Sequence, residues 1–348
     1  MVNYTFEPDV LRKFSSRIFQ KFGISEADAE VISNVLIETE FRGINSHGIA
    51  RILIYAQRIE KGLINPRPNF KVLRENATSA LLDADNGMGH VISSKAMRLC
   101  IEKAKKTGMG TVGVRNSNHF GINAYYSMLA SQENLIGMVF TNTSPLMAPF
   151  GGREPILGSN PLSIAIPAGV EPDLVVDMAT SGAARGKLEV AAREGKKIPE
   201  GLAIDAEGRA TIDPVEGLKG ALLPFAGPKG YGMCLMVDTF AGVLTGSQFG
   251  HEVGSLFGNM DRPQNLGHFF LAFDVENFMP IDEFKQRMDQ MIQNIRNSKV
   301  AAGFNRIYMP GEIEYEKSKK IRAQGITIDE TVFRNLNELA QKLGVPEL

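Results

Sequence analysis

Apolar side chains recur at helical spacing near both ends of the chain. The first stripe stops at Gly23, a residue type that tolerates the left-handed conformation at a helix end. Ser25 and Asp28 then resemble a capping box, which predicts the start of a second helix. A third helix is expected from Ser46 to Lys61. The stripes comprise Val10, Leu11, Phe14, Ile18 and Phe22 near the start, and Phe284, Met288, Met291, Ile292, Ile295, Val332, Phe333, Leu336, Leu339 and Leu343 near the end.

From about residue 70 the pattern changes to short runs rich in β-branched residues, separated by glycine and proline. The predicted strands are Ser79–Leu82, Thr111–Val114, Ile136–Thr141, Leu162–Ile166 and Leu174–Val176, and helices are predicted from Ser93 to Thr107 and from Tyr231 to Leu244. Helices at both ends of a strand-rich middle indicate that the termini meet. We expect a helical domain of residues 1–75 completed by residues 275–348, and a second domain of residues 76–274.

One glycine motif, Gly108-Met-Gly110-Thr-Val-Gly113, matches the pattern of dinucleotide-binding turns. That turn requires a strand first and then a helix whose N-terminus meets the pyrophosphate. Here a predicted helix ends at Gly108 and a predicted strand follows, so the order is reversed. The motif is therefore interpreted as a helix end, and any nucleotide site must be built on a different fold.

Composition excludes several classes of protein. A net charge of −1 without long runs of one sign argues against nucleic acid or an anionic membrane as the main partner. Cys100 and Cys234 lie far apart in apolar helical patterns, which disfavours a disulfide framework or a structural zinc site. No apolar stretch is long enough to span a membrane, and the first residues lack the features of a signal peptide. A cytoplasmic protein is expected.

The first candidate for chemistry is the pair His47 and Arg51. If Ser46 caps a helix, these two side chains stand four residues apart on one face. A guanidinium can hold a carboxylate through two hydrogen bonds, and an imidazole beside it can remove the proton of a neighbouring hydroxyl. The pair therefore suits oxidation of a 2-hydroxy acid. The alternative is a histidine at a helix start and a solvated arginine.

The second candidate, Asn116–Gly121, follows a predicted strand and contains Asn118 and His119. These side chains could polarise a substrate oxygen or hold the carboxamide of nicotinamide, or the segment could be an ordinary turn.

Three further segments carry groups that suit a nucleotide or could be plain loops. Thr141–Pro145 and the glycine-rich loop after it can direct backbone N–H groups at an anion. In the second segment, Asp177 could bind ribose hydroxyls, and Thr180 and Ser181 could bind a phosphate. In the third, Lys229 precedes Gly230 at the start of a predicted helix, a typical phosphate site.

Together these segments resemble one family, the second, non-Rossmann malate/lactate dehydrogenases. The matching stretches run in the family's order and cover nearly the whole chain. They are Arg42–Arg51 (RGINSHGIAR), Asn116–Gly121 (NSNHFG), Pro149–Gly152 and Gly158–Pro161 (PFGG and GSNP), Asp177–Ser181 (DMATS), Ile198–Pro199, Gly227–Gly232 (GPKGYG), Asn265–Gly267, Gly303–Asn305 and Pro310–Glu312 (PGE). The family's usual Gly-Thr-Asn-Pro is Gly-Ser-Asn-Pro here, which keeps a hydroxyl group.

The resemblance implies an α/β (α+β) fold: a mixed, largely antiparallel sheet of non-Rossmann type that binds nicotinamide, and a helical domain formed by both termini. It also implies a homodimer with the active site at the subunit interface. His47 matches the proton donor assigned in some members and His119 the proton acceptor assigned in others, while Arg51 matches the carboxylate clamp. Positions that match cofactor contacts are Thr143, Asp177, Met178, Ala179, Lys229, Pro310, Gly311 and Glu312.

The function expected is hydride transfer between NAD, with NADP possible, and a small 2-hydroxy or 2-keto acid of the malate, lactate or ureidoglycolate type. Ser46 and Asn118 are expected to assist the two histidines. Two alternatives remain open, a metal-dependent hydrolase that uses His47 and His119, and a binding module without catalysis. The sequence does not decide the acid, the cofactor or the histidine that acts as general acid/base.

Overall fold

The computed structural model describes residues 2–258 and 260–348. In chain order the strands are β1 (Asn3–Phe6), β2 (Lys71–Glu75), β3 (Ser79–Asp83), β4 (Met109–Ser117), β5 (Leu135–Thr141), β6 (Leu162–Ile166), β7 (Leu174–Met178), β8 (Ala203–Ile204), β9 (Ala210–Thr211), β10 (Ala221–Leu222), β11 (Leu266–Asp274) and β12 (Ile326–Asp329). The helices are α1 (Pro8–Lys21), α2 (Glu26–Phe41), α3 (Ile52–Glu60), α4 (Gly89–Thr107), α5 (Asn123–Ser131), α6 (Arg185–Arg193), α7 (Pro214–Lys219), α8 (Pro228–Asp238), α9 (Ile281–Arg296), α10 (Glu312–Gln324) and α11 (Glu330–Leu343).

A seven-stranded sheet with the order β2-β3-β4-β11-β5-β6-β7 forms the centre of the molecule. Within it β3 and β4 are parallel, and every other neighbouring pair is antiparallel. The fold class is confirmed: the sheet is mixed and largely antiparallel, and it is not a Rossmann sheet. Gly108 has a φ of 87° at the end of α4 and β4 begins at the next residue, so the glycine motif marks a helix end as predicted.

One edge of this sheet collects segments that lie far apart in the sequence. Strands β4 and β5 both run antiparallel to β11, so their carboxyl ends lie at the same edge. Strand β6 starts there opposite the end of β5, and β7 ends beside the start of β6. The loops after Ser117, Thr141 and Met178, and those before Leu162 and Leu266, therefore meet at this edge, which we name the loop edge.

The two termini come together, as the distribution of helices predicted. Strands β1 and β12 pair antiparallel from Asn3 opposite Asp329 to Phe6 opposite Ile326. Apolar side chains of α1, α2, α3 and α11 share one hydrophobic core. The domain limits at residues 75 and 275 remain a prediction, and β2, on the helical side of the first limit, pairs with β3 of the sheet.

The helix predicted from Ser46 to Lys61 is wrong in its first third. Two 3₁₀ turns, Asn45–His47 and Ile49–Arg51, precede α3, which begins only at Ile52. Gly48 between the turns has φ −91° and ψ −138°, values outside the helical region, and Ser46 does not cap a helix. The helix predicted from Tyr231 to Leu244 corresponds to α8, which begins at Pro228, followed by a π turn at Thr239–Val243.

Candidate active site

His47 and His119 are brought together from two distant segments. Their ring centroids are 5.5 Å apart. His47 lies in the turn before α3, and His119 lies in the loop that follows β4 at the loop edge. The fold therefore places the two candidate histidines side by side.

The broken helix before α3 is held open by Glu40, a residue that the sequence analysis did not select. The Glu40 carboxylate is 2% exposed and accepts a hydrogen bond of 2.8 Å from the Ile49 backbone N–H. It also fills the space beside Gly48, where a Cβ atom would overlap it. Burial raises the pKa of Glu40 to about 7, and the Ile49 hydrogen bond opposes this shift. His47 and Arg51 are thus positioned by a glycine turn around a buried carboxyl group.

The His47 ring is half-buried and its Nδ1 atom lies 2.9 Å from the Ser46 hydroxyl. Burial, and secondly the charge of Arg51, lower the pKa of His47 to about 4. At neutral pH the imidazole is therefore uncharged and able to take up a proton. The predicted association of Ser46 with His47 is present, although Ser46 reaches it from a 3₁₀ turn.

The Arg51 guanidinium is half-buried and lies over the ring of Phe257, 4.4 Å from its centroid. Burial lowers the pKa of Arg51, and Tyr55 and Glu189 oppose this effect. Within residues 2–258 and 260–348, no carboxylate forms an ion pair with Arg51, and its Nε atom has no hydrogen-bond partner. The guanidinium is therefore available for an external anion.

Three hydrogen bonds fix the position of His119. The Tyr55 hydroxyl lies 2.6 Å from its Nδ1 atom, and the Gly121 backbone N–H donates to the same atom at 3.4 Å. Its own backbone N–H donates to Gln264 Oε1 at 3.0 Å. Burial is the largest cause that lowers the pKa of His119 well below its ordinary value, and the charge of Arg51 acts in the same direction. Tyr55 and Gln264 belong to no sequence motif and were missed, because only the fold places them here.

The Asn118 side chain is hydrogen-bonded to the loop after β3, and the role expected for it stays a prediction. It is 1% exposed, and its Nδ2 atom donates to the Asn86 carbonyl, the Asn86 side chain and the Gly87 carbonyl, each at 3.0 Å. Its two amide hydrogens are used within the protein, whereas its Oδ1 atom has no hydrogen-bond partner among the described residues. Asn118 thus fixes the His119 loop to the loop after β3.

The glycine-rich segments form a second cluster at the loop edge. Thr143 Oγ1 accepts from the Ser159 N–H at 3.0 Å, and the Thr143 N–H donates to Asn160 Oδ1 at 3.0 Å. Gly158 lies against the Thr143 carbonyl, where a Cβ atom would overlap it. The Thr180 hydroxyl donates to the Ser159 carbonyl at 2.9 Å. Three loops are thus joined by hydrogen bonds into one surface.

Two of the hydroxyl groups expected to bind phosphate point inward. Thr180 donates to Ser159 as described, and the Ser181 hydroxyl donates to the Ala183 carbonyl at 2.8 Å. Both side chains are buried. Phosphate oxygens require hydrogen-bond donors, and the hydrogens of these two hydroxyls are already bound to backbone carbonyls. In this structure they stabilise the loop.

Lys229 and Gly230 lie where the sequence predicted, at the start of α8. Lys229 is exposed and forms no ion pair with a described residue. Gly230 packs against the Phe225 carbonyl, and its N–H donates to that oxygen at 3.1 Å. The Phe225 N–H in turn donates to the Thr180 carbonyl at 3.1 Å, so the start of α8 is attached to the same cluster.

Asp177 contacts a helix rather than an open loop. It is half-buried, and its Oδ2 atom accepts from the Ala124 N–H at 3.1 Å, at the start of α5. Burial raises the pKa of Asp177 to about 6, although the Ala124 hydrogen bond and Arg42 act in the opposite direction. The carboxyl oxygen that would meet a ribose hydroxyl is thus partly committed to α5. Met178 and Ala179 follow it and are half-buried.

Pro310, Gly311 and Glu312 lie beside β7. The Val175 N–H donates to the Pro310 carbonyl at 3.1 Å, and Gly311 packs against Val175. Glu312 is 8% exposed, accepts from the Met309 N–H at 2.9 Å and pairs with Arg296 at 3.3 Å. This segment borders the same strand as Asp177, and the Glu312 carboxylate is directed at protein groups.

Among the described residues, no three side chains of the types His, Cys, Asp or Glu converge closely enough to hold a metal ion. The hydrolase alternative that was left open therefore has no metal site among these residues.

Comparison with known proteins identifies the family. The family model described as malate/L-lactate dehydrogenase matches residues 6–337. The chain belongs to this family. The recognition made from the sequence motifs is therefore confirmed, and nothing in the comparisons favours a hydrolase.

Several family members resemble the chain over most of its length. L-sulfolactate dehydrogenase of Methanocaldococcus jannaschii is 42% identical and covers 97% of each chain. Ureidoglycolate dehydrogenase (NAD(+)) of Escherichia coli K12 is 35% identical, over 90% of this chain and 89% of its own. (2R)-3-sulfolactate dehydrogenase (NADP(+)) of Chromohalobacter salexigens is 34% identical, over 78% and 80%.

Solved structures agree with the fold. The sulfolactate dehydrogenase of M. jannaschii superimposes with a TM-score of 0.94 at 41% identity, covering 98% of both chains. The malate dehydrogenase of Pyrococcus horikoshii gives 0.91 at 37% identity, over 99% of this chain and 97% of the other.

Proposed function

We propose that this protein is an NAD- or NADP-dependent dehydrogenase of a small 2-hydroxy acid, in which Arg51 binds the carboxylate and His47 exchanges the hydroxyl proton. One observation carries the proposal: His47, Arg51 and His119 converge beside the loop edge, where the glycine-rich loops also meet. The carboxylate and the hydroxyl group of a 2-hydroxy acid are on adjacent carbons, so one ligand can reach both Arg51 and His47.

Arg51 suits a carboxylate because its guanidinium has no carboxylate partner among the described residues. Phe257 covers one face of the guanidinium plane at 4.4 Å from the ring centroid, and the edges that carry the N–H groups are left for hydrogen bonds. Partial burial strengthens such a pair by reducing the competition from water.

His47 can take up the hydroxyl proton because its ring is uncharged at neutral pH, although a pKa of about 4 makes it a weak base in the free enzyme. In oxidation the hydroxyl O–H bond breaks, the proton passes to His47, and the C2–O bond becomes a carbonyl as C2 loses a hydride. In reduction His47 must donate the proton. A substrate carboxylate on Arg51 offsets the second cause of the lowered pKa and makes protonation easier.

The loops of the second cluster fit a dinucleotide. The close packing of Gly158 leaves no room for a side chain, and Lys229 stands exposed at the start of an eleven-residue helix whose dipole favours an anion. Thr143, Gly158 and Lys229 would hold the cofactor, and Asp177 with Pro310–Glu312 would border it. A bound nicotinamide would supply the hydride acceptor in oxidation and the hydride donor in reduction. NAD and NADP both appear in the names of relatives.

We also propose a cytoplasmic homodimer with the active site at the subunit interface. Apolar side chains of α8, its π turn and the following loop remain exposed, by 41% for Leu235, 56% for Val243 and 48% for Phe249, and they border a groove. Contiguous exposed apolar surface of this kind is typical of a subunit contact. Both cysteines are free and buried, which suits a reducing compartment. Light scattering of the purified protein tests the dimer, and a monomeric mass would contradict it.

The catalytic proposal is tested by following nicotinamide absorbance with the purified protein, both reduced cofactors and a panel of 2-keto acids. The panel should include oxaloacetate, pyruvate and sulfopyruvate, with simple ketones that lack a carboxylate as controls. We expect turnover of at least one 2-keto acid and none of the ketones. Turnover of the ketones at equal rates would contradict carboxylate binding by Arg51.

A further inference from the structure

We propose that Tyr55 and the Gly121 backbone fix His119 in the tautomer that carries its proton on Nε2. In this tautomer His119 is a hydrogen-bond donor for the substrate oxygen or the nicotinamide carboxamide, and it does not remove the substrate proton. The assignment of the tautomer is independent of catalysis, whereas the division of roles between the two histidines rests on the proposed function.

The geometry around Nδ1 decides the tautomer. The Gly121 backbone N–H points at Nδ1 at 3.4 Å, and a backbone N–H can only donate. Nδ1 must therefore present its lone pair, and a neutral imidazole then carries its hydrogen on Nε2. The Tyr55 hydroxyl, 2.6 Å from Nδ1, makes the shorter of the two contacts and must also donate.

The charge states support this assignment. Burial lowers the pKa of His119, and the charge of Arg51 lowers it further, so the ring holds a single proton at neutral pH. Burial raises the pKa of Tyr55, so its hydroxyl keeps its hydrogen. A hydroxyl donor and a neutral acceptor are the two partners that the contact requires.

The structure also fixes Tyr55 itself. Its side chain is fully buried, and His119 is the partner of its hydroxyl among the described residues. Its ring meets the His90 ring edge-on at 5.0 Å. Arg58, three residues further along α3, is buried and donates to the carbonyls of Ser255 and Arg262, which holds the neighbouring loop against the helix. Tyr55 is a positioning residue on a rigid helix.

The consequence is a division of roles between the two histidines. Nε2 of His119, on the ring side away from Tyr55, forms no hydrogen bond with a described residue, and its N–H is free to donate. A nitrogen that already carries hydrogen cannot accept the hydroxyl proton. His47, whose Nδ1 faces a serine hydroxyl that can accept a hydrogen bond, can present a lone pair on Nε2.

The tautomer can be read directly by NMR on the free enzyme labelled with ¹⁵N-histidine. Long-range ¹H–¹⁵N correlation distinguishes a nitrogen with a lone pair from one that carries hydrogen, and His119→Gln assigns the signals. We expect a bare Nδ1 and a protonated Nε2 for His119 in the wild type. A protonated Nδ1 in the wild type would overturn the proposal, whether or not any variant folds and whether or not the enzyme turns over the panel of acids.

Two tyrosine variants test the role of the hydroxyl. Tyr55→Phe removes the donor and should move the His119 nitrogen signals towards a mixture of tautomers. Tyr126→Phe is a matched control, since Tyr126 is also buried and its hydroxyl donates to the nearby Phe120 carbonyl at 2.5 Å. This control should leave both His119 signals in place. Unchanged signals in Tyr55→Phe, or equal changes in both variants, would show that Tyr55 does not set the tautomer.

Kinetics then test the division of roles. We expect Tyr55→Phe to lower kcat by about tenfold with KM for the acid nearly unchanged, because an interaction that develops with charge on the substrate oxygen is weakened. Tyr126→Phe should retain kcat. A rise in KM alone for Tyr55→Phe would assign the residue to substrate binding and would contradict this part of the proposal.

Discussion

The two histidines of the candidate active site differ in what surrounds their ring nitrogens. His47 faces a serine that can either donate or accept, and Arg51 is the charge beside it. His119 faces two groups that donate to one nitrogen, and both its backbone and its ring are tied to the fold. The surroundings of His47 allow its ring to gain and lose a proton. The surroundings of His119 stabilise a single tautomer.

Substitution of each histidine by glutamine should separate these roles. His47→Gln should lower kcat by about a hundredfold or more with near-normal cofactor affinity, because no group remains to exchange the proton. His119→Gln can still donate a hydrogen bond and should lower kcat less, with some loss of binding. Steady-state kinetics with cofactor titration measure both effects. Should His47→Gln keep most of its kcat while His119→Gln loses all of it, the roles are reversed.

Arg51→Lys keeps the positive charge and removes the planar two-pronged donor. We expect KM for the acid to rise by about tenfold or more, with a smaller effect on kcat. The matched control is Arg67→Lys, a surface arginine that bonds the Gly23 carbonyl away from the site. An unchanged KM in Arg51→Lys would remove this residue from the carboxylate site.

Single residues also show what the sequence could and could not predict. His47, Arg51 and His119 lie in polar motifs and were selected from the sequence. Tyr55, Gln264 and Glu40 were not, because each acts through a partner at a distance along the chain, such as the 64 residues between Tyr55 and His119. The contact of the Asn118 amide with Asn86 could not be predicted either, because Asn86 lies 32 positions away in the sequence.

At the scale of the element, the turn before α3 depends on a glycine beside a buried carboxyl group. A Cβ atom at residue 48 would overlap the Glu40 side chain. Glu40 is buried and cannot move aside freely. A continuous helix would place Ile49 differently and leave Glu40 without its N–H donor. The irregular backbone is therefore part of how His47 and Arg51 are aimed.

Gly48→Ala should lower kcat/KM by about tenfold or more and reduce stability by roughly 1–3 kcal/mol, through displacement of the turn. Glu40→Gln is the comparison, since it keeps both the shape and an oxygen acceptor for the Ile49 N–H. This variant should stay within a few fold of wild-type kcat/KM. Kinetics and thermal unfolding measure the two. Equal losses in both would mean that the charge of Glu40, and not its shape, maintains the site.

The start of α8 allows a test of cofactor binding that leaves the fold intact. Lys229→Ala should weaken binding of the dinucleotide by about tenfold with an unchanged melting temperature, because the side chain is exposed and forms no ion pair with a described residue. Lys106→Ala is a control at the other edge of the sheet, near the end of α4. Fluorescence titration with the reduced cofactor gives both constants. Loss of folding in Lys229→Ala would make this lysine structural.

Periodicity predicted elements well where one face is buried and poorly elsewhere. Helices α1, α2 and α11 were found because their apolar stripes pack on a shared core and their ends carry Gly23, Ser25 or Gly344. Strand β11 was not predicted, although it is the central strand, since it is largely buried and shows little alternation of apolar and polar residues. The 3₁₀ turns before α3 were missed because Gly48 is determined by Glu40 and not by local propensity.

At the scale of the whole molecule, the sheet gathers short polar segments from five places in the chain at one edge. The fold also buries several titratable groups near this edge. His90 and His268 are fully buried behind His119, and burial lowers the pKa of each to about 3. With His47 and His119, four histidines are held uncharged in the folded state. Three carboxyl groups are shifted in the opposite sense: burial raises the pKa of Glu40 to about 7, that of Asp177 to about 6, and that of Asp238 as well.

These shifts determine how stability depends on pH. A histidine with a lowered pKa binds a proton in the unfolded chain below about pH 6.5 but not in the folded protein until its own lower pKa is reached. The contribution of such a histidine to the free energy of unfolding is complete above pH 6.5 and is lost as the pH falls towards its folded-state pKa. Glu40 and Asp177 act the other way, since near pH 5 they hold protons mainly in the folded state, and the shift of Asp238 has the same direction. At pH 5 the four histidines outweigh these carboxyl groups, and the unfolded chain holds about two more protons than the folded protein.

We therefore expect the free energy of unfolding to fall on acidification from pH 6.5 to pH 4.5, by roughly 3 kcal/mol per pH unit at the steepest point. Urea unfolding at a series of pH values measures this slope. His90→Gln should remove about one proton from the difference that sets this slope. Both ring nitrogens of His90 lack a hydrogen-bond partner among the described residues, so the substitution breaks no hydrogen bond. His251→Gln, at an exposed site, should leave the slope unchanged. Stability that stays constant or rises between pH 6.5 and pH 4.5 would show that the buried histidines are already charged in the folded protein.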